Sequence, residues 1–484
     1  MRREDFCSPQ IAGCDLSLNL DRRFWLATCA SHFEGESIDG ANQNASPKQP
    51  GRTLIRWPDK LLGPPPGMKE INAACWAQFI ALLFLFFLIL GPQVKNRSGV
   101  FHGWHCGFIY FYGIGQIVNE YPAIRIYDYS LQQKIFNEIN PAPEGYYGPS
   151  PYPPFVALFF SLYARLPFNL AYVLWAGTSL TLYIAGIGAA LREVFPGEPL
   201  KRSLIFCLAL EFCPFIIFTL VNGQLASIAA ASVGLAIFQE SRSNPVRSGF
   251  ALSILAYKPT LLLLLIPMLL LTRRFRTLFG FSAGVAILIA VATAFTGIQI
   301  WPAYAHFVTL FGKVAGVNGN SGLNLARYID FSSFSHLVPG GRSVVGLTIL
   351  ICLISAVSSG LALLLWRSAK GSKSAQYLAW AATLTWTLLL NVYVPIWDTV
   401  LAVIAIILTL GALKDLKRSA ATGWIAFLSL LIFAVSWVAE AFAHRFRIEP
   451  LTILIGFLGL AQLFLLHRAI QRDSMQTDTG ILAK

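Results

Sequence analysis

The stretch HGWHCGFIYFYGIG, from His102 to Gly115, gathers two histidines and a cysteine without a carboxylate. A metal ion needs three or four converging ligands, and His102, His105 and Cys106 supply too few without a partner elsewhere, so no metal site is expected. His105 fits a different chemistry, because an imidazole with an ordinary pKa of about 6.5 accepts a proton at neutral pH. Other ionisable groups in apolar surroundings are few enough to weigh singly. Asp128 follows Tyr127 in a polar stretch, where an Asp serves as a helix N-cap as readily as a functional acid. Lys258 interrupts an apolar segment; a charge there is costly unless it meets water or an anion, or snorkels to an interface. Asp398 opens a strongly apolar run, and an ionisable group at such a boundary either has a partner or caps the helix. Asn222 and Gln224 carry amides suited to hydrogen bonding, although a tight turn also favours Asn and Gly. Glu211 lies inside an apolar run, and the sequence offers it no partner.

The composition of the chain fixes the solvent around these residues. Of 484 residues, 55% are hydrophobic and 13% charged, against roughly 25% charged in an ordinary soluble domain. So little charge cannot cover a soluble surface, and apolar runs of membrane-spanning length recur along the chain. The sequence predicts an all-α, polytopic membrane protein of about 10–12 transmembrane helices. Its net charge of +13 does not indicate a nucleic-acid partner, because Lys and Arg gather in short tracts between apolar runs and not along one amphipathic face. Eight cysteines without CxxC or paired spacing imply neither a disulfide framework nor a zinc module.

Plain apolar spans run approximately over 75–91, 169–191, 203–221, 225–239, 278–296, 344–366, 376–394, 399–413, 423–439 and 451–467. Two segments fit badly: 152–166, opened by prolines, and 249–271, interrupted by Tyr257, Lys258 and Pro259. Broken or re-entrant helices are expected there, since irregular backbone at membrane depth needs protein or a water-filled cavity around it. The basic tracts at 192–202, 242–247, 273–276, 367–373, 414–418 and 468–472 orient the spans with those loops inside. The outer side then receives the loops 92–151 and 297–343, the NGQ turn at 222–224 and the turn NVYVPIWD at 391–398. Residues 1–67 are polar and proline-dotted and read as a disordered leader, with Met68 as an alternative start. Residues 68–472 then form the transmembrane domain, and 473–484 a cytoplasmic tail.

Short motifs follow one another in order along this chain. They are F-x-x-F-Y-x-x-G at Phe108, Phe111, Tyr112 and Gly115, the pair Tyr127 and Asp128, YPPF-x-A-L from Tyr152 to Leu158, and LPF-x-x-A-x-x-LW from Leu166 to Trp175. NGQ at Asn222, AYKP from Ala256 to Pro259, and Trp397 with Asp398 complete the set. Over about residues 75–410 this order and spacing resembles glycosyltransferase family 87. The resemblance implies a GT-C-like bundle with a long first extracytoplasmic loop, and a donor that is a polyprenyl-phosphate sugar. It implies transfer of a hexosyl group, mannosyl among the choices, to a lipid or glycan acceptor at the extracytoplasmic face of the plasma (inner) membrane. No cofactor is required beyond this donor, and a divalent metal is left open.

Such a transfer needs a general base for the acceptor hydroxyl and a cationic or hydrogen-bonding cradle for the departing phosphate. The base implied by the resemblance is an Asp immediately before the first Phe of the outer-loop motif, where this chain has Gly107. The candidate catalytic residues are therefore His105, Asp128 and Asp398. The candidate substrate-binding residues are Tyr112, Tyr152, Asn222, Gln224, Lys258 and Trp397, with Lys258 directed to the lipid-linked phosphate and the two amides to sugar hydroxyls. Gly107 keeps a rival open, a noncatalytic relative that binds or translocates lipid or glycan.

Overall fold

The computed structural model describes residues 69–70, 72–81, 84, 106–140, 147–316, 324–414 and 420–482. The leader and Met68 lie outside the described residues. Within them the secondary structure is helical, and Tyr328 and Pro395 form an isolated antiparallel bridge. The chain is an all-α polytopic membrane protein. Residues 72–81 are helical, and the helices that follow are α1 (Cys106–Glu120), α2 (Tyr129–Ile139), α3 (Pro154–Tyr163), α4 (Phe168–Val194) and α5 (Pro199–Leu210). A π-helical segment, Pro214–Val221, leads to α6 (Ala226–Ser241), α7 (Pro245–Ser253), α8 (Leu265–Leu271), α9 (Phe275–Thr296) and α10 (Ile300–Gly316). The last elements are α11 (Phe331–Leu337), α12 (Val344–Arg367), α13 (Lys373–Leu389), α14 (Val400–Ala412), α15 (Ala420–Val435), α16 (Ala439–Phe446) and α17 (Pro450–Leu482).

Among the described residues, four helices are long and apolar enough to cross a membrane: α4, α9, α12 and α17. The number rises to six where each of two bent pairs counts as one broken span: α5 with the π-helix, bent by 57°, and α15 with α16, bent by 78°. The remaining expected spans fall on shorter helices, α6, α13 and α14, and on a first span that is only partly described. The shorter helices are interior ones. Along α13 and α14 nearly every side chain is buried, so neighbouring helices, not length, shield them from lipid.

Small residues set the closest approaches. Gly186 of α4 lies against the Ala230 carbonyl of α6, Gly249 of α7 against the Thr277 carbonyl of α9, and Gly280 against that of Val246. A Cβ at any of these positions would collide with backbone, which is how small residues bring membrane helices together without a hydrophobic driving force. Side-chain caps begin several helices: Asp128 accepts from Leu131 N, Asp330 from Ser333 N, Ser343 from Gly346 N and Ser372 from Ala375 N.

One end of the structure is tied by ion pairs. Lys373 meets Glu193 at 2.8 Å, the Tyr377 hydroxyl donates to the same carboxylate at 2.7 Å, and Lys414 pairs with Glu198. Asp473 accepts Ser372 N at 2.8 Å, and Arg274 pairs with Glu240 at 2.6 Å. The segment expected as a tail thus begins, through residue 482, as a continuation of α17.

Candidate active site

The segment 249–271 breaks where its sequence requires. Pro259 has no N–H and drives the residue before it out of the helical region. Lys258 accordingly adopts φ −135° and ψ 82° between two 3₁₀ turns, Ile254–Tyr257 and Pro259–Leu262. The turn 391–398 is fastened against this break. Asn391 donates from Nδ2 to the Thr260 carbonyl at 2.7 Å and accepts Val392 N at 2.8 Å through Oδ1. Asp330, at the start of α11, holds the same turn from its other side, accepting Val394 N at 2.8 Å, while Ile329 N donates to the Val394 carbonyl at 2.9 Å.

These fastenings bring Lys258 and Asp398 together across 140 residues, with Nζ bonded to Oδ2. The Asp398 side chain is 1% exposed and that of Lys258 17%. Each charge explains the other, because an isolated buried charge costs several kcal/mol and breaking such a pair costs about 3–5 kcal/mol. The phenols of Tyr152, Tyr257 and Tyr328 all lie within electrostatic range of Asp398. Trp397, beside the carboxylate in sequence, tilts against Phe218 with ring centroids 6.2 Å apart. Tyr127 donates to the Tyr152 carbonyl at 2.9 Å and packs against Tyr304 and Phe307 of α10. Burial pushes the Tyr127 and Tyr328 phenols up from their ordinary value, so both remain protonated donors.

A second group of motif residues gathers at the start of α1. The Asn222 side chain accepts Gly107 N at 2.7 Å, and the Asn222 carbonyl accepts Phe108 N at 3.0 Å. Two of the N–H groups that a helix leaves unpaired at its start are thus satisfied from a turn 115 residues away. Gly223, at φ +75°, lets Phe108 close on that turn, where a Cβ would stand 2.7 Å from that of Phe108. The Trp175 indole donates to the Gly223 carbonyl at 2.9 Å, and the Tyr172 hydroxyl to that of Val221 at 2.6 Å. Tyr112 donates to the Leu166 carbonyl at 2.8 Å. Phe108 packs among Tyr112, Phe160, Phe168 and Tyr172, and Phe111 meets Tyr152 at 5.0 Å, joining this group to the ion pair's surroundings.

The geometry therefore divides the candidates. Tyr152, Lys258, Trp397 and Asp398 come together, whereas Tyr112, Asn222 and Gln224 line the α1 junction. Asp128 stands at the start of α2 with its carboxylate on the Ser130 hydroxyl, Leu131 N and Arg125. The Ser130 bond, then those of Leu131 and Arg125, holds it below the usual carboxylate range. His102 and His105 lie outside the described residues, as does the Cys106 side chain. Among the described residues no three His, Cys, Asp or Glu side chains gather as metal ligands. Glu211 gains a neighbour that the sequence did not offer, the Cys207 thiol at 3.8 Å.

Sequence reasoning missed Asn391 and Asp330, which position the pair, and gave Tyr257 no role although it stands in the AYKP motif. The family model of glycosyltransferase family 87 matches residues 151–395. That range contains Tyr152, Asn222, Gln224 and Lys258 and stops just before Trp397 and Asp398. No curated protein and no solved structure matches the chain.

Proposed function

Because the chain belongs to glycosyltransferase family 87, we propose that this membrane glycosyltransferase moves a hexosyl group from a polyprenyl-phosphate sugar to a lipid or glycan acceptor. The transfer takes place at the extracytoplasmic face of the plasma (inner) membrane. The observation that carries this reading is the buried Lys258–Asp398 pair at a break in an apolar segment. Lys258 gives the buried Asp398 carboxylate a counter-charge that favours its ionised form, the form a base requires. Being the more exposed partner, Lys258 also reaches an incoming phosphate.

In the reaction, an acceptor hydroxyl oxygen forms a bond to the anomeric carbon as the bond from that carbon to the phosphate oxygen breaks. The electron pair leaves with the polyprenyl phosphate, and the configuration inverts. Asp398 takes the hydroxyl proton while Lys258 faces the charge that develops on the phosphate. Tyr152 and Trp397 flank the reacting groups, and the α1 junction of Tyr112, Asn222 and Gln224 holds the neighbouring loop.

The test supplies membranes with radiolabelled polyprenyl-phosphate sugar. Asp398→Asn is expected to lower turnover by about 10²- to 10⁴-fold, the range for loss of a general base, with a folded protein verified by thermal melting. Retained turnover in Asp398→Asn together with its loss in His105→Ala would move the base to His105. A second reading rests on Gly107, which stands where the family's base is expected: a noncatalytic relative that binds lipid or glycan. Label bound or taken up without transfer by the wild type would favour it.

A further inference from the structure

Tyr257 is 4% exposed, and its hydroxyl has no hydrogen-bond partner among the described residues. Buried polar atoms are nearly always paired, and leaving one unpaired carries a desolvation penalty. The position makes this one informative. Tyr257 directly precedes Lys258, and its phenol lies within electrostatic range of Asp398 and of Tyr152. Asp398 bonds Lys258, and the Tyr257 hydroxyl bonds neither of them. The break lies between the two residues, the 3₁₀ turn Ile254–Tyr257 ending on one and the turn Pro259–Leu262 beginning after the other. An ammonium and an unused O–H donor thus stand on consecutive residues, a combination suited to an anion with several acceptor oxygens.

We propose that the Tyr257 hydroxyl donates a hydrogen bond to a phosphate oxygen of the lipid-linked donor, beside the Lys258 ammonium. This rests on the reading of Lys258 as the phosphate's counter-charge. It makes Tyr257 a contact of the leaving group, retained when the phosphate carries no sugar, and gives the orphaned hydroxyl its partner in the bound state.

The experiment measures binding to the purified full-length protein in detergent by ligand-dependent melting, with undecaprenyl phosphate and undecaprenol as probes. The two share a tail and differ in the phosphate. Wild type should bind the phosphate more tightly than the alcohol, and Lys258→Met should lose that preference. Tyr257→Phe should melt at or above the wild-type temperature without ligand, and bind undecaprenyl phosphate about 10- to 100-fold more weakly, the usual worth of a hydrogen bond to a charged group. Its affinity for undecaprenol should not change. Wild-type phosphate affinity in Tyr257→Phe would overturn the proposal while leaving the Lys258 reading intact. A wild type that does not distinguish phosphate from alcohol would instead overturn that reading, and the proposal with it. A loss confined to the sugar-bearing donor would place the contact on the sugar, against the proposal. Loss of cooperative melting in Tyr257→Phe would also count against it, because it would reveal a partner within the protein.

Discussion

Buried carboxylates in this protein are answered in three different ways, and the differences predict how each behaves. Asp398 is answered by a charge, Lys258. Asp330 is answered by Val394 N, Ser333 N and the Ser333 hydroxyl, although burial still pushes its carboxyl up. Glu449, between α16 and α17, is fully buried; one oxygen accepts Leu451 N at 3.1 Å and the other has no partner among the described residues. Burial first, and Glu440 nearby, push its carboxyl from an ordinary 4.5 up to about 8, against the Leu451 bond. A folded-state pKa raised in this way contributes stability that is fully present below about 4.5 and is lost as pH rises through about 8. The melting temperature in detergent should therefore fall between pH 5 and 9, and Glu449→Gln should flatten that decline. An unchanged slope in the variant would remove Glu449 as its cause. What was legible at this scale was cost: Lys258 and Asp398 each stand out in sequence as expensive charges. That each is the other's partner was not legible, because a sequence shows where burial is costly but not which distant position answers it.

At the level of elements, breaks were easier to read than junctions. Pro259 and the prolines before α3 act locally, so the interruption at Lys258 and the late start of α3 follow from the chain itself. The start of α1 does not, since Gly107 N and Phe108 N are met by Asn222 of the NGQ turn, 115 residues along the chain from Gly107. This junction also bears on the missing carboxylate. Gly107 does not have positive φ, so its backbone alone would admit any residue. Packing forbids it: a Cβ there would lie 2.5 Å from the Asn222 carbonyl oxygen and 2.6 Å from Gln224 Nε2. Gly107→Asp should therefore destabilise the protein by about 1–3 kcal/mol, as overpacking does, and should not raise transfer. Asn222→Ala, which removes a cap, should cost about 0.5–2 kcal/mol. Chemical denaturation of both variants checks the two figures. A Gly107→Asp protein of wild-type stability with faster transfer would show that the junction can open to admit a carboxylate.

For the whole molecule, the helical class and the position of most spans were plain in the hydrophobic runs, because the need to pair backbone groups within each segment leaves the helix as the natural solution in lipid. The shortness of the interior spans was not, since it depends on which helices other helices cover. The same arrangement gives the molecule two unlike ends. At one, Lys373, Lys414 and Arg274 meet Glu193, Glu198 and Glu240. At the other, the 391–398 turn carries the Lys258–Asp398 pair and its tyrosines. Helix α13 joins them, beginning at Lys373 and ending at Leu389, a length of about 25 Å at 1.5 Å per residue and close to the roughly 30 Å of a bilayer's hydrocarbon. Because basic residues concentrate in cytoplasmic loops, the orientation we propose puts the end bearing Lys373 and Lys414 inside and the end bearing the Lys258–Asp398 pair outside. The exposed residues Lys370 and Val392 report on the two ends directly. In a background cleared of native cysteines, Val392→Cys should react with a membrane-impermeant maleimide added to intact cells, and Lys370→Cys should react only after the membrane is opened. The reverse pattern would turn the protein over in the membrane and place Lys258 and Asp398 on the cytoplasmic side, where an extracytoplasmic donor phosphate could not reach them.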